Sequence, residues 1–345
     1  MQKIKVAVIG VGHAGRDYHL PGLSKFPDVD LSICDINAEL LAQAGDAGKI
    51  PPERRYTDYR KMLETENPQA VLVLMAQYPH GQYRPDIYFQ IVNEVLDQRR
   101  AVLVEKPLAM TLAEAQPLAE KAQRQGCITM VSVNRRFNPL VTFCLNVVRR
   151  QGPVSHVVCQ YYKAFAGMNS KALAPLQSEM IHAVDLMRFL AGGEVAACHA
   201  ASGRAADDGQ TTAYHALVSF DNQVTGMFSG NVRAGERLQL WQIHGPGISA
   251  VIETDLDSAL CDKKMRAVIY RPGEKPAVYL DREMPTGRSY LDSAEFVVFN
   301  GFAYADRYFI NCVRSGQEPH CNFSDACKTL ALCDQIAKYQ ELIKS

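Results

Sequence analysis

The first 134 residues alternate short apolar segments with longer amphipathic ones. The short segments are rich in β-branched residues, as expected of strands that are buried on both faces of a sheet. Five such strands are predicted, at residues 3–9, 29–34, 70–75, 101–104 and 129–133. One of the intervening helices, predicted over 111–125, begins with a capping box formed by Thr111 and Glu114. Repeated strand–helix units predict an N-terminal Rossmann domain over residues 1–134, built on a doubly wound parallel sheet.

After residue 134 the pattern changes to that of a different domain type. Helices are predicted at 139–149 and 179–190, and strands at 154–162, 214–220, 224–229, 238–244 and 249–253. Turn signals separate the later strands, which predicts a second domain over residues 135–345 with an open, mostly antiparallel sheet and helices on one face. Such a sheet leaves its other face uncovered, so we expect a homodimer or homotetramer to form through it.

Composition narrows the class of protein. The 345 residues carry no formal net charge and no basic cluster interleaved with aromatics, which argues against a nucleic-acid partner. The longest apolar runs are strand-sized, which argues against a membrane span, and the first strand begins at once, without a signal peptide. Ten cysteines occur without a C-x-x-C pair, which predicts reduced thiols in the cytoplasm and no metal site.

The glycine run 10–15 lies between the first predicted strand and a helix. Gly10, Gly12 and Gly15 have the spacing of the dinucleotide fingerprint, in which they permit a tight turn, close approach of the pyrophosphate and helix–strand packing. His13 and Ala14, within the run, are expected to border the cofactor. Asp35 ends the second strand, twenty residues after Gly15, where a carboxylate would bind the adenosine ribose. Because no Arg or Lys follows immediately, NAD is favoured over NADP.

The motif Glu105-Lys106-Pro107 ends a later strand of the same predicted sheet. Pro107 disfavours helical geometry at Lys106, so the strand ends there. The lysine is therefore expected at the edge of the sheet where ligands bind, facing the cofactor. The alternative interpretation of the motif is a solvated Glu–Lys pair before a turn proline.

The chain resembles the glucose–fructose oxidoreductase / inositol dehydrogenase / rhizopine-catabolism (Gfo/Idh/MocA) family over essentially its whole length. The resemblance rests on the glycine run 10–15, His19, Asp35, residues 105–109 and 134–139, the helix carrying His182 and Asp185, and residues 309–319. It implies an NAD(P)-dependent oxidoreductase that transfers a hydride between nicotinamide and a ring carbon of a sugar, polyol or sugar derivative.

The resemblance also implies roles for individual residues. Lys106 would be the catalytic acid/base, and His182 would assist at the reacting hydroxyl. Glu105 would contact the cofactor or orient the lysine, and Gln77 would line the nicotinamide ribose. The expected substrate-binding residues are Asn134, Arg136, Lys163, Ser178, Glu179 and His182.

One position departs from the family pattern. Many family dehydrogenases carry an aspartate four residues before the histidine, where this chain has Ser178. Glu179 lies about 100° round an α-helix from that position, so it could substitute only if the start of the helix were shifted. Serine cannot stabilise an imidazolium as a carboxylate does, which leaves open a purely packing role for His182. Two other functions also stay open: a redox-assisted, NAD-dependent glycosidase and a non-catalytic sugar- or cofactor-sensing regulator.

Overall fold

The structure is a computed structural model, and it describes residues 3–75, 85–164, 174–204, 211–255, 265–293 and 295–338. The chain divides into two compact units. The first comprises Met1–Asn134 and Thr286–Cys327, and the second comprises Arg135–Pro285 and Lys328–Ser345. Residues 286–327 belong to the first unit, whereas the sequence analysis placed them in the second domain, 135–345. Helical periodicity does not reveal which core a helix joins.

The first unit is built on a six-stranded sheet whose paired strands all run parallel. Its strands are β1 (Ile4–Ile9), β2 (Val29–Cys34), β3 (Arg55–Tyr56), β4 (Ala70–Val73), β5 (Ala101–Glu105) and β6 (Thr129–Ser132). Their order, β3-β2-β1-β4-β5-β6, confirms the predicted doubly wound sheet. The central strands are buried almost throughout, as their apolar runs predict. The sequence analysis gave no bounds for strand β3, since two residues are too few to show a period.

Helices follow the strands of this unit. They are α1 (Leu20–Leu23), α2 (Ala38–Ala47), α3 (Tyr59–Glu66), α4 (Pro85–Asp97) and α5 (Leu112–Gln125). A π-helical turn, Ala14–His19, precedes α1. The predicted capping box of α5 is confirmed, because Thr111 accepts from the Glu114 backbone N–H and the Glu114 carboxylate accepts from that of Thr111.

The returning segment adds α8 (Phe296–Phe299), α9 (Phe302–Ser315) and the start of α10 (Phe323–Lys338) to the first unit. Helix α9 packs against the π-helical turn and α1. At this contact a Cβ on Gly22 would lie 3.1 Å from that of Ala303, so a small residue allows the close approach. The contact places residues of α9 beside the start of the cofactor-binding motif.

The second unit contains an eight-stranded sheet. Its strands are β7 (His156–Ala164), β8 (Val195–Arg204), β9 (Thr211–Phe220), β10 (Thr225–Asn231), β11 (Arg233–Gly245), β12 (Ile248–Asp255), β13 (Met265–Tyr270) and β14 (Ala277–Leu280). Their order is β14-β13-β12-β11-β7-β10-β9-β8, and every pairing except β7 with β10 is antiparallel. The predicted mostly antiparallel sheet is therefore confirmed.

Helices α6 (Pro139–Gln151) and α7 (Ile181–Ala191) pack on this sheet, α6 against β11–β13 and α7 against β7 and β10. Burial alternates along the strands, as in β9, where every second side chain is buried. A π-helical turn, Leu176–Met180, leads into α7. None of the helices in the described part of the chain has the length and hydropathy needed to cross a bilayer.

Candidate active site

The glycine loop follows β1 at the carboxyl end of the parallel sheet. Gly10 has φ +94°, and a Cβ there would lie 2.8 Å from the Met75 backbone nitrogen. A Cβ on Gly15 would lie 2.3 Å from the Gly10 carbonyl oxygen. Gly12 differs from both, because a Cβ there would meet no described atom within 4 Å. The fold thus requires glycine at 10 and 15, whereas the open space at Gly12 fits the close approach of a cofactor phosphate.

Asp35 lies just beyond the end of β2. Its Oδ2 accepts from the Val11 backbone N–H at 2.8 Å, and its Oδ1 accepts from that of Asn37 at 2.9 Å. Asn37 in turn caps the first turn of α2. The carboxylate therefore holds the glycine loop as well as lying where the adenosine ribose binds in such folds. The glycine loop and Asp35 therefore fit NAD as the cofactor.

His13 and Ala14 begin the π-helical turn of the loop. The His13 ring is exposed, with Nδ1 2.8 Å from an Asp17 carboxylate oxygen and Nε2 2.6 Å from the Tyr18 hydroxyl. The Arg16 guanidinium beside Asp17 lowers the pKa of that carboxyl. His13 therefore lies within a surface hydrogen-bond group beside the loop.

Replacing Gly12 with alanine should separate cofactor binding from folding. We expect NADH affinity to fall by about tenfold, because the methyl group would occupy space needed by the pyrophosphate. The thermal unfolding midpoint should stay near that of the unaltered protein, since the methyl meets no described atom. Fluorescence titration with NADH and thermal scanning would measure the two effects. Gly235→Ala, in the second unit, is the matched control because that position is equally open; equal NADH affinity in both variants would contradict the proposed role of Gly12.

Lys106 directly follows β5, at the same edge of the sheet as the glycine loop. Its peptide bond to Pro107 is cis. Glu105, the last residue of the strand, is 17% exposed, and its Oε1 lies 2.9 Å from His19 Nε2. The buried imidazole of His19 therefore fixes the orientation of the carboxylate next to Lys106.

His19 is fully buried and contacts a second carboxylate. Its Nδ1 lies 2.7 Å from Oδ1 of Asp306, which is also fully buried on α9. Burial alone would lower the pKa of His19, but Asp306 and then Glu105 outweigh it and raise the pKa to about 10. Burial raises the pKa of Asp306, against the opposing effect of His19. No local sequence pattern points to Asp306, which is 287 positions away from His19.

The second unit gathers several predicted substrate-binding residues around Tyr161. The Tyr161 hydroxyl donates to Glu179 Oε2 at 2.8 Å, and Lys163 Nζ lies 3.3 Å from the same oxygen. The His182 ring stacks with Tyr161 at a centroid distance of 6.4 Å. Arg237 Nη2 lies 3.4 Å from the Tyr161 hydroxyl. The sequence analysis did not predict Tyr161 and Arg237 at the site. The alternating pattern of a strand fits a tyrosine packed in the core as well as one that lines a binding site.

The π-helical turn before α7 explains why Glu179 rather than Ser178 joins this cluster. A π turn contains one more residue than an α-helical turn, so the side chains within it point in different directions from those of a continuous α-helix. Ser178 Oγ donates to the Ala174 carbonyl at 3.0 Å, within its own turn. The shifted helix start that a role for Glu179 requires is therefore present.

The remaining predicted substrate residues lie in other surroundings. Arg136 is 3% exposed and forms a two-point ion pair with the equally buried Asp185, at 2.7 and 2.5 Å. Its guanidinium also lies 5.4 Å from the centre of the Phe189 ring. Asn134, in the first unit, donates to the Asn300 carbonyl at 2.9 Å. Gln77 lies outside the described residues.

The described ranges contain no group of three His, Cys, Asp or Glu side chains placed to hold a metal ion. Their nine cysteines are free thiols, eight of them buried. The titratable groups described above are therefore the candidates for chemistry.

Comparison with known proteins identifies the family. Residues 4–133 match the model described as an oxidoreductase family with an NAD-binding Rossmann fold, and residues 152–250 match the Gfo/Idh/MocA C-terminal domain. The chain therefore belongs to the Gfo/Idh/MocA oxidoreductase family, and the resemblance inferred from the sequence is confirmed. The first unit is an NAD-binding Rossmann domain, as predicted.

Individual relatives agree with this assignment. D-apiose dehydrogenase of Paraburkholderia graminis is 24% identical over 355 aligned residues, which span 97% of this chain and 87% of that protein. The structure of aldose–aldose oxidoreductase from Caulobacter crescentus with glycerol has a TM-score of 0.77 and 19% identity, covering 98% of this chain and 97% of that one. An oxidoreductase from Agrobacterium radiobacter, with NAD+, L-tartaric acid and magnesium, has a TM-score of 0.76 and 17% identity, covering 99% and 98%. The structural likenesses show the fold.

Proposed function

We propose that this protein is an NAD-dependent dehydrogenase acting on a ring carbon of a sugar, polyol or sugar derivative. The observation that carries the proposal is the position of Lys106 at the carboxyl edge of the sheet that holds the glycine loop and Asp35. In doubly wound folds this edge is where ligands bind. The family relatives named for D-apiose and inositol support a carbohydrate or polyol as the small-molecule substrate.

Bound NAD would supply the hydride acceptor, and the residues of the chain would handle the proton and the orientation. Lys106 takes the proton of the reacting hydroxyl as the hydride leaves the same carbon. Glu105, held by His19, would help to hold the nicotinamide end of the cofactor. His182 assists at the hydroxyl, with Tyr161 stacked on its ring. Glu179 and Lys163 present a carboxylate and an ammonium that could bind substrate hydroxyls.

The remaining proposed substrate contacts are Asn134, Ser178 and Arg136. Asn134 Nδ2 and Ser178 Oγ each donate to a backbone carbonyl, and the Arg136 guanidinium binds Asp185. These bonds fix the direction of each side chain.

The proposal is tested in two steps. Fluorescence titration with NADH and NADPH should give saturable binding that is tighter for NADH, since Asp35 would repel a 2′-phosphate. Incubation with NAD+ and a panel containing D-apiose, myo-inositol and common hexoses should then produce NADH and an oxidised sugar. Cofactor that stays bound while a glycosidic bond is cleaved would instead indicate the redox-assisted glycosidase. Cofactor binding without turnover of any substrate would indicate the regulator.

We propose further that the protein assembles through the open face of the second unit's sheet. One register row of this face crosses all eight strands and is apolar at six positions. From β14 to β8 the row is Val278, Val268, Val251, Gln242, Val158, Met227, Leu217 and His199. Leu217 and Val278 are each 59% exposed in the single chain. A second copy related by a twofold axis would cover such a stripe.

Replacing Leu217 with aspartate should dissociate this assembly, because a charge would be buried within an apolar contact. Light scattering after size-exclusion chromatography should give the mass of a dimer or tetramer for the unaltered protein and of a monomer for the variant. Asn146→Asp is the control: it adds one charge at an exposed position of α6. An unaltered mass for Leu217→Asp would count against the sheet as the interface.

We place the protein in the cytoplasm as a proposal. Nine described cysteines remain unpaired thiols, and the reducing cytoplasm keeps thiols in this form. Fractionation of cells producing the protein would test this location.

A further inference from the structure

Three ionisable groups, two of them fully buried and one half-buried, form a hydrogen-bonded chain that includes Glu105 of the Lys106 motif. Asp306 on α9, His19 in the π-helical turn and Glu105 at the end of β5 are joined by contacts of 2.7 and 2.9 Å. The exposed fraction of the side chain is zero for Asp306 and His19 and 17% for Glu105. The chain therefore runs from the protein interior to the edge of the sheet where the cofactor site lies.

Both ring nitrogens of His19 face carboxylate oxygens. A neutral imidazole carries one N–H and could donate to only one of them, whereas the imidazolium donates to both. Two carboxylates at hydrogen-bond distance favour the charged form strongly enough to overcome the cost of burial. We infer that Asp306 and His19 are positioning residues, which hold His19 as an imidazolium and thereby fix the ionised Glu105 carboxylate beside Lys106 and the nicotinamide end of the cofactor site. This inference rests on the proposed function for its cofactor and its reaction.

The His19 imidazole also contacts an aromatic ring. The Phe302 ring packs edge-on against the imidazole, at a centroid distance of 5.6 Å. Arg307 follows Asp306 in α9 and forms a two-point pair with Asp28 at 2.8 Å. Asp28 also pairs with Arg314 at 2.6 Å, so both arginines share this carboxylate, whereas Asp306 and Glu105 are the carboxylates that contact His19.

The imidazolium would act on Glu105 in two ways. It donates a charge-assisted hydrogen bond to Oε1, which fixes the rotamer of the side chain and leaves Oε2 for another partner. It also places a positive charge beside the Glu105 carboxylate, at the edge of the cofactor site. Asp306 acts through His19 and touches neither cofactor nor substrate.

The protonation state of His19 can be read directly by NMR of protein labelled with ¹⁵N-histidine. The unaltered protein should show one imidazole with both nitrogens protonated up to about pH 10, assigned by its loss in His19→Gln. In Asp306→Asn the midpoint of this titration should fall by at least about one pH unit, and in Glu105→Gln by less, because Asp306 has the larger effect. Asp28→Asn breaks the neighbouring pair with Arg307 and should leave the midpoint in place.

The functional readout is the dissociation constant of NADH and, with a substrate, kcat, both followed against pH. In Asp306→Asn we expect NADH binding weakened by about fivefold and kcat lowered by about tenfold, with both effects growing through the pH at which NMR shows His19 losing its proton. Asp306→Glu should recover part of each loss. Asp28→Asn should change neither pH profile, although it removes an ion pair from the same helix.

Two results would overturn the inference. One is a neutral His19 in the unaltered protein at pH 8. The other is an Asp306→Asn variant in which the NMR midpoint falls while the pH profile of NADH binding stays that of the unaltered protein, since that would reduce the chain to a purely structural contact. Failure of the proposed function is a separate result: the unaltered protein would oxidise no substrate, while the NMR and NADH titrations would still decide the role of Asp306 and His19.

Discussion

Replacing Lys106 with methionine should lower kcat by about 10³-fold while NADH binding changes little. General acid–base catalysis by a positioned side chain contributes about 10²- to 10⁴-fold, and methionine keeps the length of the side chain but cannot carry a proton. Initial rates of NADH formation at saturating NAD+ and substrate would measure the loss. Lys106→Arg should be almost as inactive, because a guanidinium keeps the charge but does not release a proton near neutral pH.

Lys121→Met is the matched control for this experiment. Lys121 lies in the same unit and pairs with Asp97 at 2.9 Å, on α5 and away from the end of β5. It should retain normal kcat. Normal turnover by Lys106→Met would contradict the assignment of Lys106 as the acid/base, whatever the cofactor affinity. Activity of Lys106→Arg at the level of the unaltered protein would show instead that only a positive charge is needed at this position.

The cofactor half of the site was predictable because its signals are local. The glycine spacing, the strands on either side and Asp35 all lie within the first 35 residues, and each follows from backbone geometry. The strand-ending motif at Lys106 is equally local, since Pro107 affects only its immediate neighbour. The sequence therefore predicted the parallel sheet and the position of the lysine in the chain.

The groups that support the site could not be predicted from local signals. Asp306 contacts His19 across 287 positions, and the amphipathic pattern of α9 does not indicate which unit the helix joins. Glu179 was placed about 100° from the site on the assumption of an α-helix, whereas the π-helical turn Leu176–Met180 changes its direction. Arg136 was expected to bind substrate, and its pairing with Asp185 depends on packing between α7 and the segment before α6.

Replacing Asp185 with alanine should lower the free energy of unfolding of the second unit by about 3–5 kcal/mol. The variant would leave Arg136 as a buried charge without its carboxylate, and removal of one partner of a buried pair has this effect. Asp185 Oδ1 also accepts from the Thr329 hydroxyl at 3.0 Å, and Thr329 itself accepts from Arg188 at 2.7 Å. Urea unfolding, followed by circular dichroism, would measure the change.

Glu194→Ala provides the matched control, because Glu194 pairs with Lys328, the neighbour of Thr329, where both side chains are more than half exposed. Exposed pairs contribute at most about 1 kcal/mol, so this variant should unfold close to the unaltered protein. Equal losses in the two variants would show that the buried pair does not stabilise the unit in the way its geometry indicates.

The double variant Arg136→Met/Asp185→Leu separates stability from substrate binding. Apolar residues of similar volume can replace a buried ion pair with little or no loss of stability, so the double variant should be more stable than Asp185→Ala. With folding restored, its KM for substrate reports on Arg136 itself. A KM near that of the unaltered protein would show that Arg136 serves only to hold α7 in place. A KM raised tenfold or more at normal stability would support the substrate-binding role predicted from the sequence.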